Sequence, residues 1–180
     1  MLIAFFASCA AAQDAARVQT CVGCHGPNGN SATPGVPSIA GQPRVYLENT
    51  LVMTREGLRG NAVMQGLLKG VKDTEIIMIA KYFTAQPVRA GIPGDADKAL
   101  EKRGRALATK LRCASCHDAS FRGREQMPRL AAQREEVLNA RMIALRDKPP
   151  PGTDTIMSAT LYGVSNADIN ALAHYLSHLR

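Results

Sequence analysis

Apolar residues along this chain return at three- and four-residue intervals, and no stretch alternates apolar with polar positions over a strand's length. From Asp73 to Phe83 they occupy positions 76, 77, 79, 80, 82 and 83, which describes a largely buried amphipathic helix. A second such face runs through Ile169, Leu172, Ala173 and Leu176. It follows Ser165-Asn166-Ala167-Asp168, where serine and aspartate stand at capping-box spacing. Residues 95–112 read as a further helix. Two prolines and two glycines interrupt the helical pattern within QPVRAGIPGDAD, residues 86–97. The expected fold class is all-α with long loops.

The pattern also repeats. VMQGLLKGVKDTEIIMIAKYF at 63–83 lies without a gap over IMSATLYGVSNADINALAHYL at 156–176, and seven of the twenty-one positions are identical. PSIAGQ at 37–42 matches PRLAAQ at 128–133, and CVGCH at 21–25 matches CASCH at 113–117, so the offset moves only between 91 and 93. Such self-similarity marks a duplicated domain. The reading is two tandem domains, at 13–88 and 95–180, joined by a linker at 89–94. Residues 1–12 are an apolar leader resembling a secretory signal or an N-terminal anchor, with Ala10-Ala11-Ala12 offering small residues for cleavage.

Composition sharpens this picture at two points. Halves of this size bury a modest share of their surface. With no Trp, four Phe and four Tyr in 180 residues, they have little bulk to fill a core. A large flat cofactor at the centre of each would supply it. The formal charge of +7 is spread over both halves, densest in Lys102, Arg103, Arg105, Lys110, Arg112, Arg122, Arg124 and Arg129. Phe121 is the only aromatic in that run and no groove-reading motif accompanies it, which argues against nucleic acid. A solvated face is the plain reading, and a docking patch for an acidic partner the sharper one.

The chemistry lies in the two Cys-x-x-Cys-His pentapeptides. Two cysteines three positions apart place both thiols on one side of a helical turn, with the histidine beside them. A structural zinc site asks for four clustered ligands, whereas each half offers three, and His174 and His178 occur only in the second. A thioredoxin-like pair asks for a βαβ context that the helical pattern does not supply. Covalent haem attachment needs only this motif, with Cys21 and Cys24, and Cys113 and Cys116, as thioether anchors and His25 and His117 as proximal iron ligands. A thioether is the expected sixth ligand in electron-transfer sites. Of seven methionines only Met64 and Met157 are equivalent under the repeat, in loops just ahead of the last helix of each half. Pro37 and Pro128 follow the two histidines by twelve and eleven residues. A proline offers a carbonyl acceptor at fixed φ, so the expectation is that each accepts the other ring N–H of its histidine, the alternative being simple loop stiffening.

Taken together, CVGCHGPNGNS, PSIAGQPRVYL, GLRGNAVM and DTEIIMIAKYF, with weaker copies beginning CASCHDAS, PRLAAQ and TDTIM, resemble the dihaem class I cytochromes c of the cytochrome c-four type from about residue 13 to the end. The resemblance implies two cytochrome c folds, two His/Met-ligated haems c, and a periplasmic carrier passing single electrons between respiratory partners, with no catalytic residue of its own. Those partners would be a terminal oxidase, a cytochrome complex or a dehydrogenase, with membrane association through a partner or the N-terminus a further option. The alternative is the electron-transfer subunit of a periplasmic dehydrogenase complex; a dihaem peroxidase would need one iron to lose its methionine. Arg44, Tyr46, Arg55 and Arg59 are candidates for haem propionate contacts, with a solvated surface role equally open. The second half departs from the pattern in having AAQ for AGQ and RGREQ where a Gly-Asn-Ser loop is expected.

Overall fold

The computed structural model describes residues 5–59, 62–89, 96–151, 153 and 155–180, with side chains in the first helix from residue 15 onward. The first four residues, the side chains of 5–12 including Cys9, and linker positions 90–94 therefore lie outside what is described. Among the described residues the chain forms helices and loops, with a single isolated bridge between Arg124 and Met127. None of these helices is long and apolar enough to cross a membrane.

The N-terminal half consists of α1 (Phe5–His25), a 3₁₀ turn at Pro27–Gly29, α2 (Arg44–Arg55), α3 (Ala62–Leu68) and α4 (Asp73–Thr84). The C-terminal half repeats this plan with α5 (Lys98–Lys110), α6 (Ala114–His117), α7 (Glu135–Asp147), α8 (Thr155–Leu161) and α9 (Asn166–His178). CVGCH closes the long α1 without a break. The copy is broken, because Arg112 adopts φ 55 and CASCH starts a new short helix.

The periodic faces become the cores. In the N-terminal half Val18 of α1 and Leu47 of α2 close on Ile79, Ala80 and Phe83 of α4, while Leu68, Val71 and Ile76 form a second cluster. In the C-terminal half Ile169, Leu172, Ala173 and Leu176 of α9 sit with Ala108, Leu138, Met142 and Leu145. A side chain such as Phe83 or Leu172, 1 % exposed or less, contributes about 2 kcal/mol by leaving water. The cap on α9 uses the expected residues, with Ser165 Oγ accepting from the Asp168 N–H and donating to its carboxylate at 2.8 Å. Asp97 caps α5 by accepting from the N–H groups of Ala99 and Leu100.

Close approach of α5 to α9 depends on Gly104. A Cβ there would stand 2.1 Å from the Ala171 carbonyl oxygen and 2.5 Å from Tyr175 Cβ. The two halves also share an arginine clamp. Arg55 reaches from the end of α2 to the Val71 carbonyl and Asp73, both at 2.8 Å. Its counterpart Arg146 reaches from α7 to the Val164 carbonyl at 2.5 Å and Asn166 at 2.7 Å. Each clamp ties the entry of the last helix to the helix before the methionine segment.

One expectation is corrected here. Met64 and Met157 are not in loops but inside short helices, α3 and α8. AVMQGLL and TIMSATL carry no proline, so nothing bars two helical turns there, although Gly66 and the Thr and Ile residues of the second copy give little intrinsic propensity for them.

Candidate functional site

In the N-terminal half Cys21, Cys24, His25 and Met64 line one open cleft with Leu67, Leu68, Val71 and Ile79. The cleft opens directly to solvent. The lining is mainly apolar, with the last turn of α1 contributing both thiols and the imidazole and α3 contributing the Met64 thioether. In the C-terminal half Cys113 and Met157 pack at the edge of the core cluster that contains Phe121, Leu161 and Tyr175.

Both histidines are held from behind. His25 Nδ1 lies 2.8 Å from the Pro37 carbonyl oxygen, and His117 Nδ1 lies 2.9 Å from that of Pro128. A carbonyl can only accept, so in each case Nδ1 carries the hydrogen and Nε2 is left with its lone pair. Burial pushes the pKa of both imidazoles down, against a smaller opposing effect of the proline carbonyls. The neutral ring, which is the ligating form, is thereby favoured.

His117 supplies the test of fit to a metal-bearing cofactor. Its Nε2 is buried without a hydrogen-bond partner, an arrangement that costs on the order of 1–3 kcal/mol if nothing occupies the lone pair. An iron atom at that position would satisfy it. Burial also pushes the Cys21 and Cys113 thiols up, which is the opposite of what a thiolate metal ligand requires.

Glu135, His174 and His178 form a separate group whose ligand atoms lie within 4.8 Å of one another. Both nitrogens of His174 are already used: Nδ1 faces Glu135 at 3.0 Å, and Nε2 accepts the Asp97 N–H at 2.9 Å. This imidazole fastens the start of α5 to α9 and α7.

The four propionate candidates separate. Arg55 is committed to its clamp and to Glu56, and Arg44 pairs with Glu48 at 2.8 Å. Arg59 remains beside Tyr46, stacked 5.5 Å over its ring and 3.3 Å from its hydroxyl. Burial, and after it repulsion from Arg59, depresses the pKa of Arg141 of α7. Two guanidiniums and a phenol thus converge from both halves, a grouping suited to anionic carboxylates. Arg141 carried no signal in the sequence, because the position matched to it under the repeat is Thr50.

The basic run also divides. Arg103 pairs with Asp168 and Arg105 with Glu101, while Arg129 leaves the surface altogether at 2 % exposure. Its guanidinium lies between the halves on the carbonyls of Ser38, Ala40 and Ala131, and among the described residues no carboxylate pairs with it. Burial lowers its pKa to about 10, so it stays charged at neutral pH. The divergent RGREQ loop has a role as well, since the Glu125 carbonyl accepts the otherwise orphan Tyr46 N–H in the first turn of α2, 3.0 Å away.

Known proteins resemble this chain along both halves. The Cytochrome c family model matches residues 10–84 and again 101–180. Cytochrome c4 of Azotobacter vinelandii is 30% identical over 94% of this chain and 90% of its own length. The thiosulfate dehydrogenase electron acceptor of Thiomonas intermedia is 28% identical over 88% of this chain and 77% of its own. Among solved structures, reduced recombinant cytochrome c4 from Pseudomonas stutzeri superposes with a TM-score of 0.83 at 30% identity, covering 93% of this chain and 97% of that one.

Proposed function

The chain belongs to the cytochrome c family, and from that premise we propose that Cys21 and Cys24 anchor one haem c, Cys113 and Cys116 a second, with His25 and Met64, and His117 and Met157, as the axial pairs. The protein is a dihaem electron carrier similar to cytochrome c4, with two tandem cytochrome c domains, and it transfers electrons rather than transforming a substrate. One-electron cycling between ferrous and ferric iron is the chemistry a bound haem supplies. The chain holds each imidazole neutral and oriented through a proline carbonyl, and presents a thioether from the short helix that precedes the clamped entry of the last one. The observation that carries this assignment is the buried, unpartnered Nε2 of His117.

The partners are redox proteins. We assign a terminal oxidase, a cytochrome complex or a dehydrogenase as acceptor or donor class, and the periplasm as compartment, on the strength of the family and the leader-like residues 1–12. Four ionised propionates would bring the formal charge from +7 to about +3, and we assign Arg59, Tyr46 and Arg141 as the groups that receive at least one of them. Similarity to the Thiomonas intermedia protein, described as an electron acceptor of thiosulfate dehydrogenase, favours a second reading, in which the chain serves as the cytochrome partner of a dehydrogenase.

An optically followed potentiometric titration of the matured protein tests the assignment. Two haems per chain are expected, both with the weak near-infrared band of Met-ligated ferric haem. Met64→Ala and Met157→Ala should each remove one contribution to it. Fewer than two haems, or a band untouched by both variants, would overturn it.

A further inference from the structure

The two halves meet through their copies of one motif, PSIAGQ against PRLAAQ. Gln133 is buried at 5 % exposure, and its side chain grips Ser38 of the opposite half. Its Oε1 accepts the Ser38 N–H at 2.9 Å, and its Nε2 donates to the Ser38 carbonyl at 2.8 Å. Gln42, 3 % exposed, does the same to Arg129: Oε1 accepts the Arg129 N–H at 2.9 Å and Nε2 donates to the Arg129 carbonyl at 3.1 Å. Ser38 and Arg129 are not arbitrary targets. The Ser38 N–H belongs to the same peptide unit as the Pro37 carbonyl, which accepts from His25; the Arg129 N–H belongs to the peptide unit whose Pro128 carbonyl accepts from His117.

A peptide unit is conjugated, so its two ends are not independent. Donation of its N–H into a strong acceptor polarises the amide and makes its carbonyl oxygen a better acceptor in turn, the cooperative strengthening of hydrogen-bond chains in a low-dielectric interior. A better acceptor behind a ligating histidine draws on Nδ1–H and raises the basicity of Nε2. More basic imidazole favours the ferric over the ferrous state.

We propose that Gln133 and Gln42 are crossed positioning residues: each sets the donor strength of the axial histidine in the other domain, through one shared peptide unit, and so lowers the reduction potential of the haem it does not itself enclose. The proposal rests on the His/Met assignment above. It predicts a specific cross-pattern that an ordinary adhesive contact between domains would not produce.

The test uses the full holoprotein with Gln133→Leu and Gln42→Leu. The haems are assigned to their midpoints by Met64→His and Met157→His, each of which drops one potential. Nitrogen-15 histidine NMR of the reduced, diamagnetic state reports each Nδ1–H separately. In Gln133→Leu the N-terminal haem should move to higher potential and the His25 Nδ1–H resonance upfield, with His117 unmoved; Gln42→Leu should give the converse. If a Leu variant does not fold, Gln133→Asn and Gln42→Asn, which keep an amide but withdraw it by one methylene, carry the same readouts. Shifts confined to the domain bearing the substitution, equal shifts in both, or none would overturn the proposal. Failure of the underlying ligation would show separately, as a wild type without two Met-ligated midpoints.

Discussion

At residue scale the clearest departure between the two halves is Ala132. Its counterpart Gly41 adopts φ 60, which costs glycine nothing, but Ala132 is held at φ 55 in the same turn. The conformation is enforced because its N–H bonds to the Leu176 carbonyl, as that of Gly41 does to Phe83. A left-handed alanine costs ~1–2 kcal/mol, and the extra freedom of an unfolded glycine returns part of that. Ala132→Gly should therefore stabilise the holoprotein by ~0.5–1 kcal/mol and raise Tm by roughly 1–4 °C, read by thermal unfolding; a lower Tm would show that the alanine methyl packs better than it strains. Arg129 has a different consequence. A buried cation disfavours adding positive charge at either iron, so Arg129→Met should lower both midpoints. The effect is on the order of 1 kcal/mol at an effective dielectric of about 20, roughly 40 mV for one electron, and a potentiometric titration reads it directly. Sequence alone picks out the two Cys-x-x-Cys-His motifs and the two repeat-equivalent methionines, because those are fixed by short spacings or by the duplication. It does not foretell where Arg55 reaches, since a lone arginine near a candidate site says nothing about the carbonyl of Val71 sixteen residues on.

At the scale of elements, periodicity places α4 and α9 and the cap at Ser165 within a residue or so, because apolar spacing and capping chemistry are local. Helices α3 and α8 escape it: at seven residues each they are too short to show two full periods, and the clamps of Arg55 and Arg146, not propensity, anchor the segments that follow them. The crossing of α5 over α9 is likewise invisible from the sequence, where Gly104 looks like a weak point in a helix. In the structure it is the only residue type that lets the backbones approach. Gly104→Ala would gain helix propensity of ~1 kcal/mol but force the helices apart, costing ~1–3 kcal/mol from overpacking. Net destabilisation is expected in chemical denaturation, and a more stable variant would mean that α5 can slide along α9 at little cost.

For the whole molecule, the duplication makes the two-domain plan legible, while the interface between domains is not, since nothing in either copy of the motif names the other as its partner. With Arg129 withdrawn into that interface and Arg103 and Arg105 paired, the exposed cations of the run without a carboxylate partner among the described residues are Lys102, Lys110, Arg112, Arg122 and Arg124. If these steer an acidic partner, the bimolecular electron-transfer rate with an acidic redox protein should fall as salt shortens the Debye length from about 10 Å at 0.1 M. Lys110→Glu combined with Arg112→Glu should slow it at low salt and flatten the dependence. A stopped-flow rate indifferent to ionic strength would place docking elsewhere. The reciprocal grip of the two glutamines also has a bearing on descent. A contact in which one surface patch meets its own copy is isologous, the kind a single-domain forebear makes with a second molecule of itself as a two-fold homodimer. Fusing two such subunits into one polypeptide preserves the pairing at any dilution, and leaves each half free to diverge, as Ala132 and the RGREQ loop have done.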